Sequence, residues 1–258
     1  NSTLFNIIHK MSNKPYKIFY TGLIPKPVRR WLYKKANLSQ QNHVANCWKA
    51  VISLYLGNKL DDIIIQPKKD FGNKKIIWQY WGQGWDDDKL SDIVKICRCS
   101  VQKNKGDYEV IYLDDENLSE YIDFPNFVNE KRKNTTFRHV FFSDLLRLAL
   151  LKCYGGIWVD ATFLFTAPIP YKFSEMEFFI FQRSPQAKNK EKWGRLNSDY
   201  FSWEECHRVN FLSSMMFSKA ENKTVSILLQ LMLWYWKTQE NIPHYFFFQI
   251  LFDELKRE

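Results

Sequence analysis

The stretch from Phe142 to Thr162 constrains this 258-residue chain more than any other: Phe-Ser-Asp-Leu-Leu-Arg-Leu-Ala-Leu-Leu-Lys-Cys-Tyr-Gly-Gly-Ile-Trp-Val-Asp-Ala-Thr. Leu145, Leu148, Ala149 and Lys152 share one helical stripe, and Gly155-Gly156 stops that helix in a conformation glycine tolerates. The apolar run Ile157 to Asp160 then reads as a strand. A helix that turns at once into a buried strand is half of an α/β unit, and the alternation recurs. Strands are predicted over Lys75–Trp81, closed by Gly82 and Gly84, and over Tyr108–Leu113, Phe178–Gln182 and Phe211–Phe217. Helical spacing marks Leu90–Gln102, Thr224–Lys237 and His244–Lys256, with short turns at Leu118–Ile122 and Pro125–Lys131. Thr135 or Thr136 is expected to cap the Phe142 helix, and residues 184–204 are expected to form a mobile polar loop. The predicted class is α/β, a mostly parallel sheet flanked by helices. Such sheets bind ligands outside the carboxyl ends of their strands.

Charge divides the chain. The formal net charge is +9, yet residues 1–60 hold Lys10, Lys14, Lys17, Lys26, Arg29, Arg30, Lys34, Lys35, Lys49 and Lys59 and no acid. The remainder is close to neutral. Pro27 can open a helix running to about Asn37, and His43–Leu56 reads as another, ended by Gly57. Val28, Trp31, Leu32 and Lys35 share a face flanked by Arg29, Arg30 and Lys34, the pattern of a helix lying on an anionic membrane surface. The plainer reading packs Trp31 and Leu32 on the domain. Nucleic acid is disfavoured, because no zinc-finger spacing, RNA-recognition signature or repeated basic–aromatic stripe accompanies the charge. The expected organisation is a basic helical segment over 1–60 and a domain over 61–258, whose C-terminus is expected to be truncated because Glu258 falls in a helical pattern. Five cysteines without a C-x-x-C pair argue against a disulfide framework or zinc site and for a reducing cytosol.

Around Asp160 the residue types suggest chemistry. Asp144 and Arg147 are three apart on one helix face, with Ser143 beside them. Arg binds phosphate oxygens bidentately, and a carboxylate at a strand end can hold a hard cation or sugar hydroxyls. Together these are the parts needed to hold a nucleotide-diphosphate sugar. Read singly, Asp144 and Arg147 are a structural ion pair and Asp160 a turn acid. Asp86-Asp87-Asp88 reads as an acidic turn, as does Asp114-Asp115-Glu116, although the latter's strand-end position leaves a donor-side role open. His139 and His244 read as structural.

The blocks Ile-Ile-Trp-Gln-Tyr-Trp-Gly-Gln-Gly, Ser-Asp-Leu-Leu-Arg and Tyr-Gly-Gly-Ile-Trp-Val-Asp-Ala-Thr resemble the bacterial capsular polysaccharide synthesis proteins. These are related to the DxD-containing glycosyltransferases that include yeast α-mannosyltransferases and the glucosylating toxins. The resemblance is close over Lys75–Pro168 and looser to the end, through Trp234-Tyr-Trp236 and Tyr245–Leu255. It implies a GT-A type nucleotide-sugar domain. By position it puts Trp78 at the nucleotide base, Gln79 among the donor-binding residues, Ser143 and Asp144 at ribose or sugar hydroxyls, and Arg147 at the diphosphate or sugar. Trp158 would lie near the nucleotide, and Asp160 would be the first acid of the DxD. Thr162 stands where the second acid belongs, so Mn²⁺ or Mg²⁺ binding through Asp160 and Thr162 is implied only weakly.

The expected activity is sugar transfer from a nucleotide donor, a UDP-sugar by the resemblance, to a capsule or cell-surface glycan intermediate, with retention. Asp144, Arg147 and Asp160 are the candidate catalytic residues. The expected partners are the donor, a glycan or lipid-linked glycan acceptor, and an anionic membrane surface at the cytoplasmic face. Two alternatives stand: a non-catalytic binding subunit of polysaccharide assembly, motivated by Thr162, and a sugar-phosphate transferase.

Overall fold

The structure is a computed structural model and describes residues 22–258, the side chain of Ser174 excepted. Lys10, Lys14 and Lys17 of the basic segment lie outside the described residues. The chain forms two compact units. The sheet unit comprises residues 60–181 and 212–242. The other, here the terminal unit, joins the described residues up to Lys59 to 182–211 and 243–258. Residues 182–211 and 243–258 are thus grouped with the N-terminal helix rather than with the sheet.

In the sheet unit five strands run in the order β2-β1-β3-β5-β4. They are β1 (Ile76–Tyr80), β2 (Glu109–Leu113), β3 (Gly156–Val159), β4 (Phe178–Gln182) and β5 (Phe211–Ser218). β1 pairs in parallel with β2 and with β3, whereas β5 pairs antiparallel to β3. The register sets Trp78 beside Trp158 and Ile77 beside Ile157. Alternation along the strands therefore separates two faces. One carries Ile77, Ile157, Val159, Met215 and Phe217, packed with Val101 of α2 (Asp92–Asn104). The other carries Trp78 and Trp158 and meets α4 (His139–Tyr154), which packs in turn on α6 (Lys223–Thr238). α6 also meets α3 (Asn126–Arg132).

The Gly-Gly turn is required twice over. Gly155 and Gly156 have φ of 68° and 97°, and a Cβ at Gly156 would sit 2.5 Å from the carbonyl oxygen of Ile76. Only glycine lets β3 leave α4 this close to β1. The Thr135 or Thr136 cap is not formed. α4 begins at His139, and the Thr136 N–H and hydroxyl both bond Asn134 Oδ1 at 3.0 Å, closing a separate turn.

The terminal unit is built on α1 (Lys26–Leu56), one helix of 31 residues where sequence predicted two. The bridging residues carry no breaker, and one amide atom of each buried glutamine finds a distant backbone partner. Gln40 Nε2 donates to Pro243 O at 2.9 Å, and Gln41 Oε1 accepts from the Arg208 amide at 2.9 Å. Further along, Trp48 packs on Phe247 of α7 (Phe247–Leu255), with ring centroids 4.6 Å apart. The predicted mobile loop at 184–204 instead contains α5 (Lys190–Leu196). Among the described residues no helix is long and apolar enough to cross a membrane.

Candidate functional site

Asp160 leaves β3 at the carboxyl edge of the sheet, where its amide donates to Ser214 O at 2.8 Å. Its Oδ1 is held from two sides: the Trp158 indole N–H donates at 2.7 Å, and Arg147 Nη2 lies 3.3 Å away. The same Nη2 is 3.1 Å from Asp144 Oδ1. Oδ2 of Asp160 has no hydrogen-bond partner among the described residues, and the side chain is 33% exposed. One oxygen is thus fixed while the side chain as a whole stays partly exposed.

Arg147 makes this possible. Its side chain is only 3% exposed, its Nε donates to Ser143 O at 3.1 Å, and Nη1 donates to Ser213 O. The guanidinium also lies 5.1 Å from the Trp158 ring. Every nitrogen of Arg147 is engaged inside the protein, where the resemblance implied a contact to the diphosphate or sugar. Arg147 is a buried clamp on two carboxylates. Burial pushes Asp144 up to about 7; Arg147 opposes the shift and Asp160 adds to it. A charge here is tolerated only because it is paired, and removing one partner of such a pair is costly.

The structure brings Asp144, Arg147, Trp158 and Asp160 together. Ser143 is adjacent, its hydroxyl donating to Val140 O at 2.8 Å. Thr162 is exposed two residues beyond Asp160. Trp78 does not present a ring to a base. It is fully buried, its N–H donates to Gly155 O at 2.9 Å, and Phe71, Tyr121 and Tyr154 surround it. Gln79 points to the opposite face of the sheet. It is completely buried, and neither amide atom has a hydrogen-bond partner among the described residues. Among the described residues no three His, Cys, Asp or Glu side chains are grouped to hold a metal. The oxygens that the resemblance offered to a divalent cation are those of one partly exposed carboxylate, Asp160, and one exposed neutral hydroxyl, Thr162. A Mg²⁺-type ion held by one or two carboxylates plus substrate phosphates asks no more than this of the protein.

A second cluster at the same carboxyl edge escaped the sequence reading. Asp115, just beyond β2, accepts from the Tyr80 hydroxyl at 2.6 Å and from Arg132 Nη2 at 2.5 Å, with His139 Nδ1 4.0 Å away. Burial and the bond to Asp115 raise the Tyr80 pKa, so its hydroxyl stays protonated. Gly82 lies close by, and a Cβ there would sit 2.8 Å from the Tyr80 hydroxyl. Asp115, Arg132 and His139 line a cavity of about 790 Å³ together with Lys133 and Arg138. Arg138 is exposed and has no carboxylate partner among the described residues. Four separate segments supply the cluster, and only the acidic turn and the lone His139 were visible as signals beforehand.

Residues 29–258 match the family model described as capsular polysaccharide synthesis protein. The chain belongs to that family. The match spans both units, so the family resemblance read in the central blocks extends to the helices of the terminal unit. No curated protein matches the chain. Membership places the protein in capsule biosynthesis, and the Asp160 cluster lies in the block on which the family resemblance was read.

Proposed function

We propose that this family member is a GT-A type glycosyltransferase that uses a nucleotide-diphosphate sugar, with the Asp160 edge as the donor site. The supporting observation is the buried Asp144–Arg147 pair, which fixes one oxygen of Asp160 and leaves its side chain partly exposed at the carboxyl edge of parallel strands. A carboxylate oriented in advance costs little reorganisation when it meets a ligand. Asp160 Oδ2 and Thr162 would hold the divalent ion, which when bound neutralises charge on the diphosphate. Asp144 and Arg147 are positioning residues in this reading. The cations that meet the phosphates are sought instead at Arg132, Lys133 and Arg138, where Arg138 is the most available. The acceptor is a glycan intermediate of the capsule, and the reaction exchanges one glycosidic bond to diphosphate for one to an acceptor hydroxyl. A UDP-sugar donor and retention of configuration follow from the resemblance and are part of the proposal.

The test is nucleotide release from a panel of UDP-, GDP- and dTDP-sugars with Mn²⁺ or Mg²⁺. Asp160→Asn is expected to reduce turnover at least about 100-fold, the scale of losing a preorganised electrostatic group. Wild-type turnover with one donor, lost in Asp160→Asn at unchanged thermal stability, supports the reading. Turnover indifferent to Asp160 sinks it. Donor binding without release would favour a binding subunit instead, a reading motivated by the neutral Thr162.

A further inference from the structure

The terminal unit contains a cleft of about 980 Å³ lined by the first two turns of α1 and by residues 190–204. We propose that this cleft binds an anionic glycan, a carbohydrate chain bearing carboxylate, phosphate or sulfate groups. The inference rests on the sugar-transfer reading only in naming that glycan the acceptor.

Charge is the first argument. Six cationic side chains line the cleft, Lys26, Arg29, Arg30, Lys34, Lys190 and Arg195, against Glu191 and Glu204. Glu204 is paired with Lys34, and Glu191 with Arg195 at 3.1 Å. Lys26, Arg30 and Lys190 have no carboxylate partner among the described residues. Lys26, Arg30 and Lys34 also follow one another at spacing i, i+4, an arrangement that weakens a helix through like-charge repulsion. Local sequence and fold conflict here, and such conflicts mark function.

The helix face is the second argument. Ala36, Asn37, Gln40, Gln41, Val44, Ala45, Trp48 and Ile52 are the buried positions farther along α1. Continued toward the N-terminus at the same spacing, this face reaches Tyr33 and Lys34, then Arg29 and Arg30, then Lys26. The face that is core at one end is a cation-lined wall at the other.

Aromatic rings supply the third. Trp31, 58% exposed, is on the wall from α1, while Phe201 and Trp203 face it from the other segment. Trp203 is held by its N–H, which donates to Ser184 O at 2.9 Å, and Lys190 Nζ lies 5.9 Å from its ring. Fixed rings beside cations suit a chain whose C–H faces are apolar and whose substituents are charged. A planar bilayer would instead engage a convex basic face, and a concave wall favours a chain that enters it.

The experiment measures binding of a heparin hexasaccharide, maltohexaose, inorganic tripolyphosphate, oligothymidylate and phosphatidylglycerol vesicles to the whole chain by calorimetry and co-sedimentation. The proposal expects the hexasaccharide to bind and maltohexaose not to. It expects at least tenfold weaker binding in R30E/K190E, because like charges set against a ligand cost several kcal/mol. Trp203→Ala should weaken the hexasaccharide about threefold or more and leave tripolyphosphate unchanged. Should R30E/K190E melt early, R30Q/K190Q is read in its place. Equal binding by variant and wild type, equal binding of oligothymidylate, or binding of vesicles alone would each overturn the proposal. Binding of UDP, GDP and dTDP is read separately on the wild-type protein. Its absence alongside hexasaccharide binding would sink the sugar-transfer reading and leave the cleft as an anionic-glycan site.

Discussion

The two units bury polar groups in different ways. In the sheet unit the interior is apolar apart from Gln79, Ser213 and Ser218, and its buried charged side chains are gathered into one cluster, Asp144 with Arg147, beside the partly exposed Asp160. In the terminal unit polarity is spread through the interior: Asn37, Gln40, Gln41, His207, His244, Asp253 and Glu254 are all buried. Tyr33 and Asn37 share the carboxylate of Asp199, at 2.7 and 2.6 Å, and His244 Nε2 contacts Asn37 Oδ1 at 2.9 Å. Asn210 Nδ2 donates to Asp253 at 2.7 Å. A concentrated buried charge cluster can hold one side chain at a working position. A distributed hydrogen-bonded network instead selects one packing of helices whose contacts are weakly specified by apolar shape.

The sharpest way to break this contrast is to remove the central cation of each unit. Arg147→Ala strands two carboxylates and is expected to cost about 3–5 kcal/mol in urea denaturation. Arg208→Ala is expected to cost about 1–3 kcal/mol, because its contacts to Asp253 and Glu254 are longer, at 3.8 and 3.6 Å, and it is partly exposed. Equal losses would erase the distinction.

Acidity separates the units next. Burial lowers His207 to about 4, helped by Arg183, and lowers His244 to about 4, helped by His207. A folded state that keeps a histidine neutral is stabilised fully above the ordinary value near 6.5, and that contribution is lost as pH falls toward 4. Asp144, raised to about 7, runs the other way. Its unfolded form ionises near 3.8 and the folded form resists, so stability falls as pH rises from 3.8 to 7. Melting temperatures across this range should show His207→Gln flattening the acid limb by about 2–3 kcal/mol. Asp144→Asn should flatten the opposing slope. A common direction for both variants would contradict the assignments.

A smaller effect tests the sheet. Trp78→Phe removes the bond to Gly155 and is expected to cost about 1–3 kcal/mol of stability with no change in donor KM. A selective rise in KM would restore the base-stacking role that burial argues against. The smallest is Thr162→Ala at an exposed position, expected to change stability by less than about 0.5 kcal/mol. Its effect on turnover, set beside that of Asp160→Asn, measures how much Thr162 contributes to holding the ion.

Much of the sheet unit was legible because its signals are local. Strand β4 was predicted at its observed bounds, Phe178–Gln182, and β3 within a residue, since short apolar runs between glycines and charges have few other solutions. The pairing of Asp144 with Arg147 followed from helical spacing. The terminal unit was less legible because its determinants are distant. Continuity of α1 through Gln40 and Gln41 depends on Pro243 O and the Arg208 amide, each more than 160 residues away. α5 lay hidden among Lys, Asn and Ser residues without an apolar stripe.

From its residues alone, then, the chain determined the alternation of helices and strands, the Gly155-Gly156 turn and the acid at the end of β3, because periodicity and backbone sterics act between near neighbours. Only the tertiary structure decided that Arg147 is enclosed, that Trp78 is core, that Asp115 meets Tyr80, Arg132 and His139, and that the basic turns of α1 wall a cleft. Each of those depends on which surfaces are removed from water when segments far apart in sequence pack together, and burial of that kind leaves no local trace.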